Sequence, residues 1–116
     1  MIAADLRLST SDKFAISDFT HHVRAALGDA VIEFRLFGSK ARGDAGADAD
    51  LDVLVVVGPG LKRWQAAKTV SDIAFDVNLE HRVFISPIVL TTTMLADPRW
   101  VNSPLLGAIR AEGVQL

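Results

Sequence analysis

Two short stretches hold residue types that can do chemistry together: Phe37-Gly38-Ser39-Lys40-Ala41-Arg42-Gly43 and Asp48-Ala49-Asp50-Leu51-Asp52. Asp50 and Asp52 stand two apart where an apolar run begins. Alternate residues of a strand share a face, which sets these two Cα atoms roughly 6.5 Å apart. Carboxylates so placed repel each other unless a cation lies between them, and magnesium favours a few carboxylates completed by phosphate oxygens. The preceding turn offers the complementary half. Gly38 permits close backbone approach, Ser39 brings hydroxyl and amide donors to the start of a helical turn, and Arg42 adds a fixed positive charge about one turn later. The expectation is Mg2+ at Asp50 and Asp52, which are also the candidate catalytic residues, with Gly38, Ser39 and Arg42 meeting the phosphates of a nucleoside triphosphate.

These residues need two strands and a turn to position them, and the hydrophobic pattern supplies them. Ile32, Phe34 and Leu36 alternate with Glu33 and Arg35, predicting a half-buried strand over Val31–Phe37. Leu51–Val57 is almost wholly β-branched or apolar, as in a central strand covered on both faces. Before them, Ile16, Phe19, Val23 and Leu27 recur at helical spacing behind Ser9, Thr10 or Ser11 as cap, predicting a helix over 11–27 stopped by Gly28. After the Gly58-Pro59-Gly60 break, a helix is predicted from Leu61 to about Arg82. Its apolar face would carry Trp64, Ala67, Val70, Ala74 and Val77, widened by Phe75 and Leu79. A third strand is predicted over Val83–Leu90, where Pro87 argues for an edge. A short helix capped within Thr91–Thr93 and another opened by Ser103-Pro104, running through about Ala111, complete the chain. The expected fold class is α+β, a small mixed β-sheet backed on one face by helices.

At 116 residues the chain suits a single domain, 1–116, without a separate substrate domain. A net charge of -2 gives no long-range attraction for DNA or RNA, so no nucleic-acid partner is expected. The absence of cysteine excludes disulfides and Cys-based zinc sites. No apolar run reaches membrane-spanning length and no signal peptide is evident, so a cytoplasmic protein is expected. Half the residues are hydrophobic and mean hydropathy is +0.30, high for so small a domain, which implies that apolar surface faces a partner, a homo-oligomer being one possibility.

The Gly-Ser-x-Ala-Arg-Gly turn followed by Asp-x-Asp and hydrophobics resembles the signature of the DNA polymerase β nucleotidyltransferase superfamily over Phe37–Val57. The remainder, including Ser103-Pro104-Leu105-Leu106, Ile109-Arg110 and Glu112-Gly113, is similar to its short minimal nucleotidyltransferases. That resemblance implies a polymerase β-like fold, a triphosphate gripped by Gly38 and Ser39, and magnesium on Asp50 and Asp52. The implied reaction is transfer of AMP from ATP to a hydroxyl of a helical HEPN-type partner protein, in an antitoxin role. One departure stands out: family members carry a third carboxylate on the next core strand, where this chain has Ser86 within Phe84-Ile85-Ser86-Pro87. Glu80, nearby in sequence, falls on the preceding helix and is not its substitute.

An isolated Asp-x-Asp is ordinary at a solvated strand end, and the upstream turn is what favours a metal pair here. Asp44 and Asp48 are expected as solvated loop residues and Lys40 as a solvated side chain, and Arg42 could instead brace the loop through an ion pair. His21 and His22, adjacent on a helix, cannot share a face, and His81 at a helix end suits the dipole. Trp64 and Trp100 are expected to pack rather than stack on a base. The main competitor to the transferase is a binding module without turnover that neutralises its helical partner by contact, favoured by Ser86. An aminoglycoside-modifying enzyme, the third option, lacks its second domain.

Overall fold

The computed structural model describes residues 8–42 and 49–116. Helix α1 (Thr10–Leu27) opens with a reciprocal cap: the Ser9 hydroxyl accepts from the Asp12 N–H at 3.0 Å, and the Asp12 carboxylate accepts from the Ser9 N–H at 3.2 Å. Both satisfy amides that a helix start leaves without partners. A short 3-10 turn leads to strand β1 (Val31–Phe37), the single turn α2 (Ser39–Arg42) and strand β2 (Leu51–Val57). Then come α3 (Arg63–His81), β3 (Ile85–Thr91), the short helices α4 (Thr92–Ala96), α5 (Pro98–Val101) and α6 (Pro104–Glu112), and a two-residue strand β4 (Val114–Gln115).

The four strands form one mixed sheet in the order β3-β2-β1-β4, with β1 antiparallel to both its neighbours and β2 parallel to β3. The expected α+β class holds. Pro87 lies on edge strand β3, where its missing N–H removes no ladder bond from a second neighbour. β4 escapes the hydrophobic pattern because two residues cannot show a period. It joins through pairs with Arg35 and Leu36, and the Leu116 N–H donates to Phe34 at 3.0 Å.

Alternate residues of β2 part to two cores. Leu51, Val53, Val55 and Val57 pack with Ile16, Phe19 and Val23 of α1 and Val70, Ala74 and Val77 of α3. Leu54 and Val56 point the other way and meet Phe37, Leu90, Leu106 and Ile109. The long helices therefore cover one face as expected, but the opposite face is not open. Apolar side chains on both sides of β2 require two covers, and α6, flanked by Met94 and Leu95 of α4, provides the second. No helix among the described residues is long and apolar enough to cross a membrane.

Two expectations need correction. In α3 the buried face is Ala66, Val70, Ala74 and Val77, whereas Trp64, Phe75 and Leu79 are among the most exposed apolar residues of the molecule. At 3.6 residues per turn these three project within about 60° of one another, away from Val70, so they form a second apolar face and do not widen the first. Strand β3 also starts later than Val83. Arg82 adopts a left-handed conformation (φ 54°) and Val83 donates its N–H to Asn78 at 3.3 Å, so both residues are spent closing α3.

Asn78 then ties that closure to the sheet. Its side-chain amide donates to the Ile85 carbonyl at 3.1 Å, and its side-chain oxygen accepts from the Ile85 N–H at 2.7 Å. Removing it leaves a partly buried donor and acceptor without partners, each worth roughly 1–3 kcal/mol. Asn78→Ala is expected to cost about 2–3 kcal/mol in urea denaturation; a loss under about 0.5 kcal/mol would show that water replaces both bonds.

Candidate functional site

The candidate residues meet where β1 ends and β2 begins. Phe37 is paired with Asp52 across the antiparallel ladder, so Gly38 emerges beside the Asp52 side chain. Gly38 has φ +78°, and a Cβ placed there would run into Asp52 Oδ2. Only glycine satisfies both the backbone angle and this close approach. The Gly38 carbonyl accepts from the N–H groups of Ala41 and Arg42, both at 3.1 Å, which winds Ser39–Arg42 into a turn directly after β1.

On its other side Asp52 is the register partner of Ser86 on β3. Paired residues of neighbouring strands lie on the same sheet face, so Ser86 stands next to Asp52, on the face covered by α6. Asp50 precedes the strand and is exposed. Burial pushes the Asp52 carboxyl above the usual aspartate range, the charge of Asp50 pushes it further, and Arg42 opposes both. The structure thus brings Gly38, Asp50, Asp52 and Arg42 within mutual electrostatic or steric reach, with Ser39 on the adjoining turn. Asp44, Asp48 and Gly43 lie outside the described residues.

Two side chains of the turn are tethered by residues far away in sequence. Arg42 Nη1 donates to Glu112 Oε2 at 2.9 Å, joining the turn to the end of α6. The bracing ion pair considered for Arg42 is therefore present, alongside its influence on Asp52. Lys40 is not solvated: it is 5% exposed and donates to Asp12 Oδ2 at 2.9 Å. Asp12, itself 5% exposed, thereby caps α1 and anchors the turn with one carboxylate. Neither Glu112 nor Asp12 was singled out for the site from sequence, because no local pattern links residues 70 and 28 positions apart.

The donor chemistry fits a hard divalent cation. Asp52 is a carboxylate whose charged form is disfavoured by burial and by Asp50, and a cation held between the two would reverse both effects. The histidines belong elsewhere. His22 and His81 each approach Asp18 at 3.0 Å, and His81 lies 3.1 Å from Glu80, on the seam between α1 and α3. The hydrogen bond from His81 is the main cause holding Asp18 below its ordinary range. Among the described residues, Asp18, Glu80 and His81 bring ligand atoms within 4.8 Å of one another, but they are not the carboxylates at the mouth of β2. Trp64 and Trp100, 64% and 42% exposed, are not core packing residues either.

Two predictions follow from this geometry. Breaking a buried ion pair by removing one partner leaves the other charge stranded, so Lys40→Met is expected to cost roughly 3 kcal/mol. Combining it with Asp12→Asn should cost less than the sum of the singles, which a double-mutant cycle by denaturation checks. For Asp52, a raised folded-state pKa means that the ionised form weakens the fold. That penalty is absent below the ordinary aspartate range and grows as pH rises through the raised value. Asp52→Asn is therefore expected to melt higher than the wild type at pH 7 without metal, the advantage fading in acid; an equal or lower melting temperature at pH 7 would contradict it.

Comparison with known proteins bears on the family and the fold. Residues 21–92 match the family model described as "Nucleotidyltransferase domain". A Methanocaldococcus jannaschii protein named "Putative protein adenylyltransferase MJ0141" is 36% identical over 81 residues, which cover 68% of this chain and 79% of that protein. The fold is similar to that of a toxin-antitoxin crystal structure with AMP-PNP (TM-score 0.55, 17% identity, covering 84% of this chain and 68% of that one). It is also similar to a "putative minimal nucleotidyltransferase" (TM-score 0.55, 21% identity, 90% and 94% covered). With the family match spanning the turn, the paired aspartates and the strand that carries Ser86, the chain belongs to the nucleotidyltransferase domain family.

Proposed function

We propose that this nucleotidyltransferase uses magnesium and ATP to place AMP on a hydroxyl of a helical HEPN-type partner protein, acting as the antitoxin of a cytoplasmic toxin–antitoxin pair. The observation that carries the reading is the packing of Gly38 against Asp52, which sets the turn that would hold the phosphates beside one of the two carboxylates. Support for the reaction and partner comes from the relative named for protein adenylylation and from the fold shared with a toxin-antitoxin protein crystallised with AMP-PNP.

In this proposal Asp50 and Asp52 hold the metal, which when bound neutralises charge on the phosphates. Ser39 donates to phosphate oxygens from its hydroxyl and amide, and Arg42 adds positive charge beside them. The acceptor hydroxyl oxygen forms a bond to the α-phosphorus as the bond from that phosphorus to the bridging oxygen breaks. Pyrophosphate leaves with the bond electrons, and the hydroxyl proton passes to solvent or to a group on the partner. Gly38 keeps the turn close enough to Asp52 for one triphosphate to meet both.

Ser86 favours a second reading, a nucleotide-binding antitoxin that acts by contact alone. The register puts Ser86 directly beside Asp52, where a carboxylate would be placed to take up the acceptor proton. A general base contributes about a hundred- to ten-thousandfold in rate, yet phosphoryl-type transfer rests mainly on positioning and charge neutralisation. Slow transfer is therefore expected from the wild type.

Asp50→Asn and Asp52→Asn are each expected to abolish magnesium-dependent ATP binding in calorimetry, and wild-type affinity in both would overturn the metal assignment. Incubating labelled ATP, magnesium and the partner is expected to give a weakly labelled partner, with faster labelling by Ser86→Asp. A tight complex whose partner keeps its mass with either enzyme would favour the contact-only antitoxin.

A further inference from the structure

The seam between α1 and α3 holds a group of side chains that the nucleotide site does not use. Asp18 and His22 lie about one turn apart on α1, and Glu80 and His81 end α3. Asp18 Oδ2, at 3.0 Å, and Glu80 Oε2, at 3.1 Å, both approach the same nitrogen, His81 Nε2. A ring nitrogen carries at most one hydrogen, which cannot point straight at two oxygens. Two carboxylates therefore converge on an imidazole that satisfies only one of them well, and the ligand atoms of all three residues lie within 4.8 Å of one another.

This donor set suits a transition metal rather than magnesium, because imidazole nitrogen favours zinc whereas Mg2+ takes oxygen ligands. Zinc binds nitrogen and carboxylate oxygen at roughly 2.0–2.2 Å, which at tetrahedral angles sets ligand atoms about 3.4 Å apart. The two contacts to His81 are already near that spacing, and Glu80, its side chain 69% exposed, has room to close the third edge. His22 supports the set from outside: its Nε2 lies 3.0 Å from Oδ1, the other oxygen of Asp18. A hydrogen bond there turns Oδ2 towards His81 and Glu80. Asp18 is held below its ordinary range, chiefly by the His81 hydrogen bond, and is ionised at neutral pH. With Glu80 it balances the charge of a divalent ion. A cavity of about 170 Å³ lined by Asp18, His22 and Glu80 leaves space for a water in the fourth position.

We propose that Asp18, Glu80 and His81 form a binding site for a zinc-type divalent ion on the α1 and α3 seam, with His22 positioning Asp18. The ligands come from both helices, so the bound ion ties α1 to the end of α3 and stabilises the fold. The seam belongs to the layer over Leu51, Val53 and Val55, whereas Asp52 and Ser86 stand on the sheet face covered by α6. The proposal therefore stands independently of the nucleotidyl transfer reaction.

Calorimetric titration with Zn2+ from about 1 µM to 1 mM tests it, in the full chain carrying Asp52→Asn so that the pair at the mouth of β2 does not contribute. This protein should bind one equivalent of Zn2+ and melt at a higher temperature with zinc than without. Adding Asp18→Asn or His81→Ala should weaken binding at least tenfold and remove the shift in melting temperature. Glu80→Gln, at an exposed side chain, should weaken binding likewise and leave the metal-free melting temperature unchanged, which separates loss of the ion from loss of the fold. Co2+ in place of Zn2+ should give the visible absorption band of a four-coordinate site. His22→Phe should keep that band while lowering affinity about tenfold. Absence of zinc binding up to about 1 mM, equal zinc affinity after Asp18→Asn and Glu80→Gln, or a Co2+ band indifferent to His81→Ala would each overturn the proposal.

Discussion

Strand β2 is sealed on both faces along Leu51–Val57, apart from one ionisable residue near its start, Asp52. Most of the architecture answers that arrangement. Leu51, Val53, Val55 and Val57 demand the α1 and α3 layer, while Leu54 and Val56 demand α6. A slip of one residue would turn Asp52 into the α1 and α3 core and push Val53 out of it, so the register is strongly specified. The carboxylate inherits its position from the burial of its neighbours. Phe37 on one side and Ser86 on the other are set by the same ladder.

Holding a carboxylate there weakens the fold, since burial and Asp50 both disfavour its charged form. Perturbed groups of this kind gather at functional sites because structure elsewhere can sustain them. Two tethers do so here. The Lys40–Asp12 pair fixes the turn to the capped start of α1, and the Arg42–Glu112 pair fixes it to the end of α6. The turn is thus held by both layers of the domain, one on each side of the sheet. Under the proposed function, such bracing would let the turn meet a ligand without first losing the entropy of ordering.

Much of this was legible in the sequence because it is local. The alternation of Ile32, Phe34 and Leu36 and the unbroken run Leu51–Val57 delimit β1 and β2 at their observed ends, and Gly38, Ser39, Asp50 and Asp52 follow from their places beside those strands. What was hidden depends on distance. Lys40 looks like any solvated lysine until Asp12, 28 residues earlier, is folded against it. β4 has too few residues to show a pattern. The outward face of α3 was misassigned for another reason: Trp64, Phe75 and Leu79 were counted into one apolar stripe, whereas at 3.6 residues per turn they project away from Val70 and the buried Ala66, Ala74 and Val77.

That outward projection has a consequence for how the molecule can be used. The sheet separates the α3 stripe from the face on which Asp52 and Ser86 stand. A partner that covers Trp64, Phe75 and Leu79 therefore does not compete for the space in front of the carboxylates. In the proposed reaction, the acceptor hydroxyl would meet Asp52 on the sheet face that Ser86 shares. Under the proposed reaction, Ser86 leaves the charge-neutralising groups intact and affects proton removal alone, the component of phosphoryl-type transfer least tied to the protein. A partner able to take up that proton would complete the site from outside, so that transfer would run only when the partner is docked.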